Sequence, residues 1–334
     1  MNELIFFFNK VVVAGTVIGS IYALGAIGVT LVFAILRFSH FAHADIMTFG
    51  AFMSYILVVA FPELGGYVGL PTGFVVMPIA MLVTAFFAVG LDKAFYKPLR
   101  DNNVKPVVMV IASIGVTLMI QGVLRLFAGT TSRNFYFAEN KEIFRIKLPF
   151  EAASRKIFIT EPQILLVLFL IVAVISLHFF LTRSRLGKAM RAMSDNPDLS
   201  RISGINTNVV VWTTWMIAGG LAAAAGTLLS LDVTLKPDLS FNILLPIFAA
   251  AVVGGVGKPY GAIAGGFIVG FAETLAIFNW SILLRPFSGI IPDWIDVPST
   301  IAFVPTEYKI VVPFVLLIAI LVWRPTGIFK GKVL

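Results

Sequence analysis

The chain has 334 residues, 59% of them hydrophobic and only 13% charged, with a mean hydropathy of +0.97. A soluble domain carries about 25% charged residues, so this composition cannot cover a water-facing surface and leaves a membrane class. A net charge of +8 then reads as Lys and Arg gathered in cytoplasmic loops, not as a nucleic-acid surface.

The chain opens Met1-Asn2-Glu3, without a basic leader. The apolar stretch from Val11 to Leu36 is too long for a signal-peptide core, so it is expected to stay as the first span. A helix crossing a bilayer needs about 20 apolar residues. Candidate spans fall at 11–36, 46–61, 74–92, 107–128, 161–182, 209–231, 243–257, 260–279 and 308–323. Nine is the expected count, within eight to ten, and 243–257 is short enough to be a half-span. Only helices or closed barrels satisfy their backbone in lipid, and these runs are too long for barrel strands. The expected fold is all-α: a polytopic transmembrane helical bundle, with 1–334 forming one domain.

Between the first two spans, Arg37-Phe38-Ser39-His40-Phe41-Ala42-His43-Ala44-Asp45 concentrates polar and aromatic residues. It reads as a broken helix lining a pathway or as a plain cytoplasmic loop. With no cysteine and three histidines (His40, His43, His178), neither a disulfide nor a metal site is expected.

Three stretches are basic: Lys93, Lys97, Arg100 and Lys105; Arg183, Arg185, Lys188, Arg191 and Arg201; and the tail with Arg324, Lys330 and Lys332. The loops between them are mixed in sign or poor in charge, with Glu63 in one and Arg285, Asp293 and Asp296 in another. The basic stretches are expected in the cytoplasm. This places the N-terminus outside, the C-terminus inside, and a long periplasmic loop at 129–160.

The cytoplasmic loop at 183–208 is long for a connection between packed spans. Leu186, Ala189, Met190 and Met193 fall at helical spacing. Asp195-Asn196-Pro197 stops that helix, and a second short one fits 198–203 before Gly204. Such a pair either docks into a partner's groove or lies on the membrane.

Gly254-Gly255-Val256-Gly257-Lys258-Pro259 resembles a phosphate loop but lacks its spacing, and Pro259 stands where Ser or Thr is needed. It reads as a tight turn between helices, so any ATPase must sit on another chain. Glu273 is the clearest carboxylate inside a span; it reads as a hydrogen bond to a neighbouring helix or as a substrate contact. His178 and Asp232 lie near span ends. Secondary transporters usually keep more ionisable groups within their spans, and neither H-E-x-x-H nor G-x-S-x-G is present to support an enzyme. Gly15/Gly19, Gly261/Gly265 and Gly266/Gly270 are small-xxx-small pairs suited to close helix packing.

In order and spacing these features resemble the high-affinity branched-chain amino acid ABC permease family, over nearly the whole chain. The resemblance rests on Gly15-Thr16-Val17-Ile18-Gly19-Ser20-Ile21-Tyr22-Ala23-Leu24, on Phe41-Ala42-His43-Ala44-Asp45, and on the loop from Arg185 to Gly204-Ile205-Asn206. It rests also on Val253-Gly254-Gly255-Val256-Gly257 with Gly261, and on Trp323-Arg324-Pro325-Thr326-Gly327. The details are closest to the LivH-type subunit. That implies a heterodimer with a LivM-type permease, two cytoplasmic ABC ATPases, and a periplasmic substrate-binding protein, all at a bacterial inner membrane. ATP and Mg would be used by the ATPases, with no cofactor on this chain.

Leucine, isoleucine and valine would be the cargo. Urea, short amides, other amino acids or sugars are the alternatives within the class, and a secondary transporter the one outside it. The expected coupling residues are Arg185, Leu186, Gly187, Arg191, Ala192, Asn196, Gly204, Ile205 and Asn206. Those expected along the pathway are Phe41, His43, Asp45, Gly254, Gly255 and Glu273. Ala44 replaces the family's usual glycine, and the charged 130–160 loop is expected to dock the binding protein.

Overall fold

The structure is a computed structural model that describes residues 2–147, 156–284 and 300–330. Arg285, Asp293, Asp296, Lys332 and the middle of the 129–160 loop lie outside the described residues. Seven helices are long and apolar enough to cross a membrane. They are α1 (Asn2–Leu36), α2 (His43–Ala60), α3 (Thr72–Asp101), α4 (Pro106–Ala128), α5 (Glu161–Arg183), α8 (Thr207–Asp232) and α10 (Pro259–Ile277). Between α5 and α8 lie the short α6 (Arg185–Asp195) and α7 (Pro197–Ile202). Two further apolar helices, α9 (Phe241–Gly254) and α11 (Val311–Trp323), have 14 and 13 residues. At 1.5 Å per residue each reaches about 20 Å, short of a hydrocarbon core of about 30 Å.

All nine expected stretches are therefore helical, but the number of full-length spans among the described residues is seven. The half-span expected at 243–257 is α9. The stretch at 308–323 is also short, because Thr306–Tyr308 is a 3-10 turn and the α-helix starts only at Val311. One element was not expected. The long 129–160 loop carries an antiparallel hairpin of β1 (Ile143–Ile146) and β2 (Ile157–Thr160), in register Ile143↔Thr160 to Ile146↔Ile157. Its residues are mostly β-branched or aromatic, which suits a pleated surface.

Side-chain size sorts centre from rim. α1 carries four glycines and four alanines and is buried on nearly every side, as a helix apolar all round must be. α8, with its run Ala222-Ala223-Ala224-Ala225-Gly226, is also enclosed. α5 is built of Leu, Ile, Val and Phe; it buries one stripe (Leu165, Leu166, Leu170, Leu177, Leu181) and turns the rest outward. Lipid tails are as apolar as leucine, so bulky faces gain little by packing together, whereas small residues let backbones approach. α10 uses this twice. Gly266 and Gly270 face Ala23 and Gly19 of α1, while Gly261 and Gly265 face Gly254 and Ala250 of α9. One residue of offset, about 100° around a helix, gives α10 two close seams.

The basic stretches share one end of the bundle. Arg37 at the end of α1 donates to Ser194 of α6, Tyr96 of α3 pairs with His40, and Lys93 lies over the Trp212 ring of α8 at 4.6 Å. The opposite end gathers the 129–160 loop, where Asn9 of α1 donates to the Lys156 carbonyl and accepts from the Phe158 amide at 3.0 and 3.1 Å.

Candidate functional site

The loop 183–208 folds as two helices joined at a right place for a turn. Ser184 caps α6, its hydroxyl accepting from Gly187 N–H at 2.8 Å. Asn196 caps α7 through Leu199 N–H at 3.0 Å, and Asn206 caps α8 through Val209 N–H at 3.3 Å. Each cap satisfies a first-turn amide that the helix cannot. The two asparagines expected to engage a partner thus build the loop itself. Gly187 is buried where a Cβ would strike the Phe180 carbonyl, so glycine lets α6 fold back on α5. Met190 and Met193 are buried beneath α6, whereas Arg185, Leu186, Arg191 and Ala192 face outward. Gly204 ends the pair at φ 80°, with Ile205 half-buried beside it. On α7, Leu199 is 60% and Ile202 83% exposed. The basic end therefore presents a small apolar ledge, with Arg185, Arg191 and Arg201 also exposed on the same loop.

The segment 37–45 is not a plain loop. Phe38, His40, His43 and Asp45 are all buried. His40 Nε2 lies 2.9 Å from the Tyr96 hydroxyl, and Tyr96 stacks on Trp215 of α8 with centroids 5.4 Å apart. His43 fits against Gly28 of α1, where a Cβ would occupy the imidazole's place. Gln121 of α4 donates to Asp45 Oδ1 at 3.0 Å, and Ser113 Oγ accepts from the Phe41 N–H at 3.2 Å. Phe41 itself is half-buried and stacks on Phe248 of α9 at 4.9 Å. Irregular backbone at membrane depth needs such protein cover.

The other pathway candidates lie apart from this cluster. Gly254 packs on Gly261, and Gly255 adopts φ 113°, a conformation that disfavours a side chain. Ile328 and Phe329 donate to the Val253 and Gly254 carbonyls at 2.9 and 3.2 Å. The glycine run and the Arg324-Pro325-Thr326-Gly327 motif thus form one joint at the end of α9. Glu273 of α10 accepts from the Tyr22 hydroxyl of α1 at 2.7 Å and lies 3.7 Å from Lys309 Nζ. It ties helices together. No group of three or more His, Cys, Asp or Glu side chains able to hold a metal ion occurs among the described residues.

Sequence reasoning missed Ser113, Thr117 and Gln121, although they recur every four residues on an otherwise apolar helix and form its buried face. It also missed the entry to α9. After α8 ends at Asp232, Leu235 pairs with Arg133 of the 129–160 loop at 2.8 and 2.9 Å. The chain then runs inward until Ser240 N–H donates to Thr48 Oγ1 of α2 at 3.3 Å. α9 therefore begins within the bundle, below the opposite end.

Seven apolar helices long enough to cross a membrane, with two half-length helices and a pair of short ones at the basic end, define a multi-pass membrane protein. The chain belongs to the family described as branched-chain amino acid transport system / permease component, whose model matches residues 11–321. It is 31% identical to the high-affinity branched-chain amino acid transport system permease protein LivH of Escherichia coli K12, over 98% of this chain and 97% of that one. It is 28% identical to the corresponding permease protein BraD of Pseudomonas aeruginosa, over 97% and 96%. The probable LivH permease of Methanocaldococcus jannaschii is 29% identical over 81% and 82%. No solved structure matches the chain.

Proposed function

We propose that this chain is one of two pore-forming subunits of an ATP-driven importer that carries leucine, isoleucine and valine across a bacterial inner membrane. The observation that carries the reading is the likeness to LivH along 98% of the chain, supported by the exposed apolar residues Leu199 and Ile202 at the basic end. The partners on this reading are a LivM-type permease, two cytoplasmic ABC ATPases that use ATP and Mg, and a periplasmic substrate-binding protein. Lipid covers the outer faces of α3, α5 and α11. Lys and Arg retained on the cytoplasmic side put the basic end inside, with the N-terminus outside and the external loop, 129–160, facing the binding protein. Arg185 and Arg191 engage the ATPase surface, and Leu199 and Ile202 fill its groove. ATP binding then biases the membrane core between inward and outward states.

Uptake of labelled leucine by cells with the gene deleted and with it restored tests this. Gene-dependent uptake that isoleucine competes away supports it. Unchanged leucine uptake with a loss of urea or ribose uptake would replace the cargo.

A further inference from the structure

The amino end of α9 combines features that the packing of the bundle does not require. A helix leaves its first amides without an intrahelical acceptor and carries partial positive charge there. In α9 those amides belong to Phe241 and Asn242, whose side chains are exposed, and to Ile243. Ile243 N–H turns back to the Ser240 carbonyl at 3.2 Å, which leaves the amides of Phe241 and Asn242. The N-cap residue, Ser240, makes no side-chain cap hydrogen bond. Its hydroxyl is 0% exposed and without any hydrogen-bond partner. A buried hydroxyl without a partner at a helix end whose first amides have no intrahelical acceptor supplies donors suited to an anion.

A second opening lies one turn on. Pro246 stands inside α9 and has no N–H, so the Asn242 carbonyl four residues earlier lacks its usual donor. The Asn242 side chain reaches back with its nitrogen toward the Asp238 carbonyl at 3.5 Å, which leaves Oδ1 as a second acceptor. Asn242 is exposed on the same side as Phe241 and Leu245, and Phe248 follows on that face with Phe41 stacked against it. Donors, then acceptors, then an apolar strip occur in that order along one half-helix.

We infer that the amino end of α9 is the amino-acid subsite of the translocation pathway, a reading that rests on the importer proposed above. The Phe241 and Asn242 amides and the Ser240 hydroxyl take the α-carboxylate. The Asn242 carbonyl and Oδ1 take the ammonium. Phe241, Leu245, Phe248 and Phe41 receive the branched side chain. Ser240 is covered by α2 through its Thr48 bond, so the subsite opens as α9 and α2 part. Such a site recognises any apolar zwitterion of this size and rejects neutral amides and sugars.

The test uses the complete transporter in liposomes, with ATP supplied on the cytoplasmic side and binding protein with labelled leucine outside. Ser240→Ala and Asn242→Leu are expected to lower leucine uptake about tenfold or more, the cost of a hydrogen bond to a charged group. Pro246→Ala separates binding from folding. It restores the N–H to the Asn242 carbonyl and so strengthens the helix. A purely structural role predicts normal or better uptake, whereas the subsite predicts a similar fall with an unchanged or higher Tm. A diazirine analogue of leucine is expected to label Phe41, Phe241, Leu245 or Phe248 during turnover. Normal uptake by Ser240→Ala and Pro246→Ala, or labelling confined to other helices, overturns the subsite and leaves the importer standing. A wild-type complex that does not import leucine at all overturns both.

Discussion

Arg37 Nη2 donates to the Ser194 carbonyl at 2.5 Å, joining the end of the central helix α1 to the end of the ledge helix α6. Arg37 does so from a left-handed backbone at φ 59°, which an ordinary side chain adopts only at a cost of about 1–2 kcal/mol. Replacing it by glycine removes the tie and the backbone cost together. Arg37→Gly is therefore expected to fold with a Tm close to wild type. If the tie carries motion from ledge to core, leucine uptake per ATP hydrolysed falls several-fold. Unchanged uptake per ATP would make the contact a mere helix stop.

The close seam of α10 and the open face of α4 make opposite forecasts for glycines of the same chain. A Cβ on Gly266 would sit 2.5 Å from Ala23 N and 2.7 Å from Ala23 Cα, both backbone atoms of α1 that cannot yield alone. Gly266→Val is expected to cost about 1–3 kcal/mol or more as overpacking, visible as lower yield in membranes and a lower Tm in detergent. A Cβ on Gly122 of α4 would meet nothing within 4 Å. Gly122→Ala is expected to be neutral or to stabilise by up to about 1 kcal/mol, the helix-propensity gain.

The sequence made the helices and their polarity legible because lipid imposes length and composition on every span. The α6–α7 pair was legible too, since Asn196-Pro197 and Gly204 are strong local punctuation. What stayed hidden is set by tertiary contact. Nothing local says that Asp45 meets Gln121, 76 residues on, or that Tyr22 meets Glu273, 251 residues on. The inward course of 233–240 was hidden for a related reason: a short apolar helix with an internal proline reads the same whether it begins at the surface or in the interior. The β1–β2 hairpin was missed because only four residues a side pair, too few for a period to show.

Asp92 is fully buried, and Arg100 holds it with both arms, Nη1 to Oδ1 at 2.6 Å and Nη2 to Oδ2 at 2.9 Å. A two-pronged pair at the end of α3 fixes the turn that carries Tyr96 against His40. Arg100→Ala leaves a buried carboxylate without its cation and is expected to destabilise by about 3–5 kcal/mol. The double variant Asp92→Ala with Arg100→Ala removes both charges and is expected to recover much of that loss. A thermal unfolding series in detergent reads the difference, and equal losses in single and double variants would show that Asp92 is held chiefly by other groups.

On the ledge, stability and partnership separate cleanly. Leu199 and Ile202 are 60% and 83% exposed, so their own chain loses little if they become polar. Surface changes of this kind are usually within about 0.5 kcal/mol. Leu199→Asp with Ile202→Asp is expected to leave membrane yield and Tm unchanged while abolishing co-purification of the ATPase, because apolar anchors at a docking site carry most of its affinity. Arg191→Glu is expected to act more gently. It reverses a charge at the rim, where such changes alter the rate of encounter more than the strength of the closed contact. The complex should still assemble at low salt, yet import leucine poorly per ATP consumed. Were the aspartate variant to retain its ATPase, α7 would be a helix lying on the membrane surface, and the docking face would have to be sought on α6 alone.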